Sequence, residues 1–185
     1  MEKLILAIDI QNEYISEGRP FFIPGIKASL EKIKTIFSVA RENGTPIWHM
    51  QHKQKGSVFN ETSELANFIK DFEPLADEKF FVKDMYSCFS SKDFLVALTE
   101  FKPEEIIIVG YGSSMCCLCT IIDGIHRGFQ FVMIDDATAA KNTDHAESKI
   151  MHESAINILK QYARVINSDE LIINSILNAR KNNDK

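Results

Sequence analysis

Residues 106–120 read Ile106-Ile107-Ile108-Val109-Gly110-Tyr111-Gly112-Ser113-Ser114-Met115-Cys116-Cys117-Leu118-Cys119-Thr120. The unbroken β-branched run at its start fits a strand buried on both faces. Gly110 and Gly112 allow a tight turn, and Ser113 or Ser114 can cap a helix. Met115, Leu118, Ile121, Ile122 and Ile125 then recur at helical spacing until Gly128. Buried strand, glycine turn and amphipathic helix form the repeating unit of a parallel α/β sheet.

The same alternation extends in both directions. Leu4–Ile8, Ile47–Met50, Phe80–Val82, Phe131–Ile134 and Val165–Ile166 read as further strands. Leu30, Ile33, Ile36, Phe37 and Ala40 mark a helix stopped at Asn43-Gly44. Phe94, Leu95 and Leu98 mark a second. Ile150, Ile156 and Leu159 mark another, and Leu171–Leu177 a last. Asp144 with Glu147, and Asn167 with Glu170, have capping-box spacing. Residues 51–78 are irregular, with one short helix expected around Glu61–Asp71. The pattern predicts a three-layer α/β/α, Rossmann-like fold with a mainly parallel central sheet, built as a single domain over residues 1–185.

Composition narrows the function classes. The chain has 185 residues, of which 45% are hydrophobic and 25% charged, with a formal charge of −5. That apolar fraction supports a core without disulfide staples. Lys+Arg 21 against Asp+Glu 26, with only Arg180-Lys181 as a basic pair, near the C-terminus where fraying is expected, argues against a nucleic-acid partner. No apolar run approaches the roughly 18 residues of a membrane span. Met1-Glu2-Lys3-Leu4-Ile5 does not read as a secretory signal. A cytoplasmic location is expected, where the four cysteines stay reduced.

In a parallel sheet, ligands sit beyond the carboxyl ends of the strands. Asp9, Lys83 and the turn before Cys116 all fall there. A thiol in the first turn of a helix faces free N–H groups, which lower its pKa and can also hold an oxyanion. Asp9 can act as general base, and Lys83 can steady both charges. Each residue has a plainer alternative: a cap for Asp9, a snorkelling amine for Lys83, packing for the cysteines. Cys116 and Cys119 also form a C-x-x-C suited to a dithiol redox pair. One such pair does not complete a zinc site, because His49 and His52 would have to come from elsewhere.

These segments resemble the isochorismatase-like cysteine hydrolases, the superfamily that includes nicotinamidases and N-carbamoylsarcosine amidohydrolase. The resemblance rests on Asp9-Ile10-Gln11-Asn12, Lys83 to Phe89, Gly110 to Thr120 with Asp123-Gly124, and Asp136 to Ala140. It implies a catalytic triad of Asp9, Lys83 and Cys116. It also implies a cis peptide at Tyr111–Gly112 and an oxyanion hole from the N–H groups of Gly112 and Cys116. A homo-oligomer, dimer or tetramer, is implied as well.

The chain departs from parts of the family pattern. Trp48-His49-Met50-Gln51-His52 lacks the Asp-x-His of nicotinamidase metal sites, so neither a metal nor another cofactor is expected. The cysteine argues against isochorismate hydrolysis. Gly112 and Gly124 stand where many relatives have a small residue such as alanine, and both look tolerable. Gln11, Phe21, Phe59, Phe89 and His52 are expected to line the pocket. The predicted activity is cleavage of an amide or carbamoyl-type C–N bond in a small molecule through a thioester. The alternatives are a thiol redox protein using Cys116 and Cys119, or an inactive binding module of the same fold.

Overall fold

The computed structural model describes residues 2–174. The end of the expected last helix, 175–177, and the pair Arg180-Lys181 lie outside the described residues. Strands β1 (Lys3–Ile8), β2 (Ile47–His52), β3 (Lys79–Lys83), β4 (Glu105–Tyr111), β5 (Phe131–Ala139) and β6 (Arg164–Ile166) form one sheet in the order β3-β2-β1-β4-β5-β6. Every pairing between these strands is parallel. The helices are α1 (Lys27–Glu42), α2 (Lys92–Phe101), α3 (Leu118–His126) and α4 (Ser148–Leu159), with a further helical segment at 168–174.

Period-two alternation divides the strand side chains between two cores. Ile5, Ala7, Ile107, Val109, Val132 and Ile134 point to one face, under Ile33, Ile36 and Phe37 of α1 and Leu171. Leu4, Leu6, Ile8, Ile106, Ile108 and Met133 point to the other, under Phe94 and Leu98 of α2, Ile121 of α3, and Ile156 and Leu159 of α4. Burial on both faces explains why these strands read as continuous apolar runs. Each buried Val, Leu, Ile, Met or Phe among them contributes about 1.5–3 kcal/mol of transfer free energy.

Strand order reverses between β1 and β4, which opens a crevice at their carboxyl ends. Gly110 lets the two strands meet there. It pairs with Ile8 at φ +106, and a Cβ at this position would stand 2.1 Å from the Ile8 carbonyl oxygen.

Local competition explains two differences from the sequence reading. Residues 61–71 form only the short 3₁₀ turn Glu64–Ala66. The backbone that follows it is drawn into pairing with the segment after β1: Asn12 N donates to Asn67 O, and Ile69 N to Ile10 O. Asp144 does not cap α4. Asn142 Oδ1 accepts from Ser148 N at 2.7 Å instead, and Glu147 is the extended residue before the helix. The second capping pair does form, with Glu170 N donating to Asn167 Oδ1 at 2.8 Å.

Gly124 is required rather than merely tolerated. A Cβ here would lie 2.3 Å from Phe131 Cζ and 2.7 Å from Phe89 Cε2. Gly→Ala inside a helix ordinarily gains up to about 1 kcal/mol. Here overpacking reverses the sign, and Gly124→Ala should lose about 1–3 kcal/mol in a urea titration. At Gly112 the nearest atoms to a Cβ are 3.8 Å and 4.0 Å away, so alanine fits there.

Candidate active site

Asp9, Lys83 and Cys116 converge at the carboxyl end of the sheet, each no more than 2% exposed. Asp9 follows β1 with φ +52, a left-handed conformation uncommon for a residue with a side chain. Its N–H donates to Met50 O, and its carbonyl accepts from Gln11 N, which fixes the turn. Lys83 ends the edge strand β3. The strand leaves Phe80 and Val82 exposed, lays Phe81 against Trp48 and Phe94, and buries its last side chain, Lys83, fully. Ser87 Oγ donates to Asp123 Oδ2 at 2.7 Å and Cys88 N to Thr120 Oγ1 at 3.0 Å, tying the segment after Lys83 to α3.

Cys116 lies in a π-turn, Ser113–Cys117, ahead of α3 rather than in a first α-helical turn. Gly112 O accepts from Cys117 N, the wide spacing that defines the turn, and from Met115 N. π-Turns recur at functional sites because the extra residue re-aims side chains. The Tyr111–Gly112 peptide is cis.

The Lys83 ammonium sits at the centre of the cluster. Its Nζ lies 2.8 Å from Asp9 Oδ2, 3.0 Å from His52 Nδ1, 3.1 Å from Met85 O and 3.4 Å from Cys116 Sγ. Three ammonium protons face four acceptors. The Asp9 carboxylate holds the Lys83 pKa above its ordinary value despite burial. Asp9, His52 and Cys116 place ligand-type atoms within 4.8 Å of one another, but Lys83 already supplies the cation among them. His49 lies elsewhere, packed against Phe37 and bonded to Glu78, so the two histidines cannot share a metal.

The thiol corrects an expectation. Burial pushes the Cys116 pKa well above 9.0, and the Asp9 carboxylate pushes it further, with Lys83 opposing only in part. The free N–H groups of the turn do not outweigh loss of water in a site this closed. Cys116 therefore rests as a neutral thiol beside Asp9, and needs a base at the moment of attack.

The expected pocket residues divide. His52 stacks on Phe59, with ring centroids 4.8 Å apart and planes at 24°. Phe59 packs edge-on against Phe21. Gln11 offers no free group to a ligand. Its Nε2 donates to His52 O and Ala66 O, and its Oε1 accepts from His52 N at 2.7 Å. Phe89 belongs to the core under α3, stacked on Phe129 and beneath Arg127. All four cysteines are free, and Cys119 is half-exposed on α3.

Sequence reasoning missed three neighbours. Tyr14 is fully buried against Phe21, Phe59 and Tyr111. Glu13 is buried and paired at 2.9 Å with Arg19, whose Nη2 also reaches Ser57 O and so ties the turn at Glu13 to the loop carrying Phe59. His152 joins Ser113 Oγ at 2.9 Å to Asp135 Oδ1 at 2.8 Å, bracing the π-turn from α4. Tyr14 had a signal, being an aromatic three residues after Gln11 in the turn beyond a strand end. His152 had none, because its partners are 39 and 17 residues away.

The histidines give a pH prediction. Burial, then the Lys83 charge, lowers the His52 pKa from 6.5, and burial lowers that of His49. Below the ordinary histidine value the unfolded chain binds protons that the folded one refuses, so stability rises with pH in that window. Thermal melts should show the midpoint falling as pH drops below about 6.5, with a shallower fall in His52→Gln. A midpoint independent of pH there would contradict it.

The cluster can generate a thiolate inside a dry, charged pocket, which is the chemistry of covalent acyl transfer. Residues 3–170 match the model of the isochorismatase domain family. The chain is 30% identical over 154 residues to the uncharacterized isochorismatase family protein YddQ of Bacillus subtilis, covering 82% of this chain and 84% of that protein. It is 23% identical over 162 residues to maleamate amidohydrolase of Pseudomonas putida, covering 79% and 76%. A crystal structure of an isochorismatase from Pseudomonas putida superposes with a TM-score of 0.85 at 23% identity, covering 91% of this chain and 89% of that one.

Proposed function

The chain belongs to the isochorismatase family of hydrolases, and from that premise we propose that it cleaves a C–N bond in a small amide or carbamoyl-type molecule through a thioester on Cys116. The observation that carries this reading is the buried Asp9–Lys83–Cys116 cluster, with 2.8 Å and 3.4 Å separating the ammonium from its two partners. The kinship to an amidohydrolase supports the choice of bond.

Asp9 takes the thiol proton as sulfur attacks the carbonyl, and Lys83 steadies the thiolate as it forms. The carbonyl oxygen becomes an oxyanion held by the N–H groups of Gly112 and Cys116, each worth about 3–4 kcal/mol in such holes. Asp9 returns the proton to the leaving nitrogen as the C–N bond breaks. Water, deprotonated by Asp9, then attacks the thioester and expels the Cys116 sulfur, which regains a proton. His52 stays neutral and fixes the amine, with Nδ1 accepting from Lys83 while Nε2 faces Gln54 Oε1 at 3.2 Å.

Intact-mass measurement after brief incubation with small amides, ureas and carbamoyl compounds tests the reading. The expected result is an acyl mass gain confined to Cys116, with release of ammonia or an amine. A full panel that leaves Cys116 unmodified and releases neither would sink it.

A further inference from the structure

Tyr14 sits in the 3₁₀ turn Asn12–Tyr14, just beyond the end of β1, with 1% of its surface exposed. Phe21, Phe59 and Tyr111 hold its ring at centroid distances of 6.0, 5.3 and 5.5 Å. Its hydroxyl is buried and has no nitrogen or oxygen partner; the one group placed to accept from it is the Cys116 thiol, a weak acceptor outside good hydrogen-bond geometry. A buried hydroxyl left unpaired is costly, and native structures rarely keep one without a reason. This one faces the reacting atoms. A Cβ built on Gly112 would lie 4.0 Å from the Tyr14 oxygen. Cys116 and Asp9 are the charged or ionisable groups that act on it most strongly.

Burial and those two neighbours raise its pKa well above 10.0, so the phenol keeps its proton across the working pH range. It is a donor with only the weak thiol sulfur of Cys116 to turn to. The alternative donor in the cluster, Lys83, already faces four acceptors with three protons. An oxygen arriving beside Gly112 therefore meets in Tyr14 an O–H held by no stronger acceptor than a thiol, and in Lys83 a committed ammonium.

We infer that the Tyr14 hydroxyl donates a hydrogen bond to the oxygen of the tetrahedral adduct on Cys116, adding a side-chain donor to the Gly112 and Cys116 N–H groups. The inference rests on the hydrolase reading above. As the S–C bond forms, the carbonyl π pair moves onto oxygen, and Tyr14 O–H points at that charge without giving up its proton. Such a donor acts in the transition state more than in the ground state, so it belongs to kcat rather than to binding.

The test compares two reactions of the same thiol in wild type and Tyr14→Phe. p-Nitrophenyl acetate acylates Cys116 through an oxyanion; iodoacetamide alkylates it without one. Tyr14→Phe should slow acylation about 100-fold, the scale of a lost oxyanion donor, and leave alkylation within about threefold. Its melting temperature should equal or exceed that of wild type, because the hydroxyl has only a weak contact with sulfur to lose. Acylation at the wild-type rate would overturn the inference and leave the hydrolase reading intact. Equal slowing of both reactions would overturn it as well, assigning the hydroxyl to the thiol instead. A lowered melting temperature would show a structural bond and overturn it too. A wild-type protein that forms no acetyl-Cys116 would overturn the hydrolase reading and this inference together.

Discussion

Cys116→Ala should abolish turnover of any small amide the protein cleaves, by about four orders of magnitude or more, the scale of losing a covalent nucleophile. The effect follows from placement. Cys116 is the thiol within 3.4 Å of the Lys83 ammonium, and the Asp9 carboxylate faces the same sulfur. Cys117 is buried at the end of the same turn, and its pKa too is pushed well above 9.0 by burial. Cys119 lies on α3, half-exposed. Cys117→Ala and Cys119→Ala should therefore retain turnover within about tenfold. Activity surviving in Cys116→Ala would remove the nucleophile assignment. Activity lost equally in Cys119→Ala would restore the dithiol reading of the C-x-x-C. Ammonia or amine release, measured beside the intact mass of each variant, separates these cases.

Lys83→Met should damage both fold and reaction. Asp9 and Lys83 form a pair at 2.8 Å, and both side chains have no exposure. Removing the ammonium leaves the carboxylate without its counter-charge in a site closed to water. Breaking a buried pair in this way costs about 3–5 kcal/mol. Replacing both charges is far milder, since no uncompensated ion remains. Urea titrations should show Lys83→Met strongly destabilised and Asp9→Asn/Lys83→Met closer to wild type. Equal loss in the single and double variants would show that the pair is not coupled in this way. The same substitution should slow Cys116 alkylation at neutral pH, because the cation that offsets the thiol's burial is gone.

The legible part of the site was the part carried by strand ends. Asp9, Lys83 and Cys116 each follow or end an apolar run, and a parallel sheet gathers such ends along one edge. Gln11 and Phe89 are the two expected pocket residues whose observed contacts are with the protein itself. Nearness in sequence to a catalytic residue does not say which way a side chain turns, and both are committed to other partners. The short helix expected within 61–71 failed because local propensity was set against backbone pairing from a segment about 55 residues earlier, which no local window contains.

The sequence by itself determined the layers and the strand ends, because two-faced burial and helical periodicity are local consequences of side-chain type. It also singled out residues 106–120 as the turn that aims a cysteine into the crevice. Only the tertiary structure decided the protonation state and the committed partners. The pKa of Cys116 is set by how completely water is excluded and by charges from β1 and β3, neither of which is written in its own turn. The Tyr14 hydroxyl, without a nitrogen or oxygen partner, is likewise a property of the assembled pocket, since a donor lacks a strong acceptor only with respect to everything folded around it.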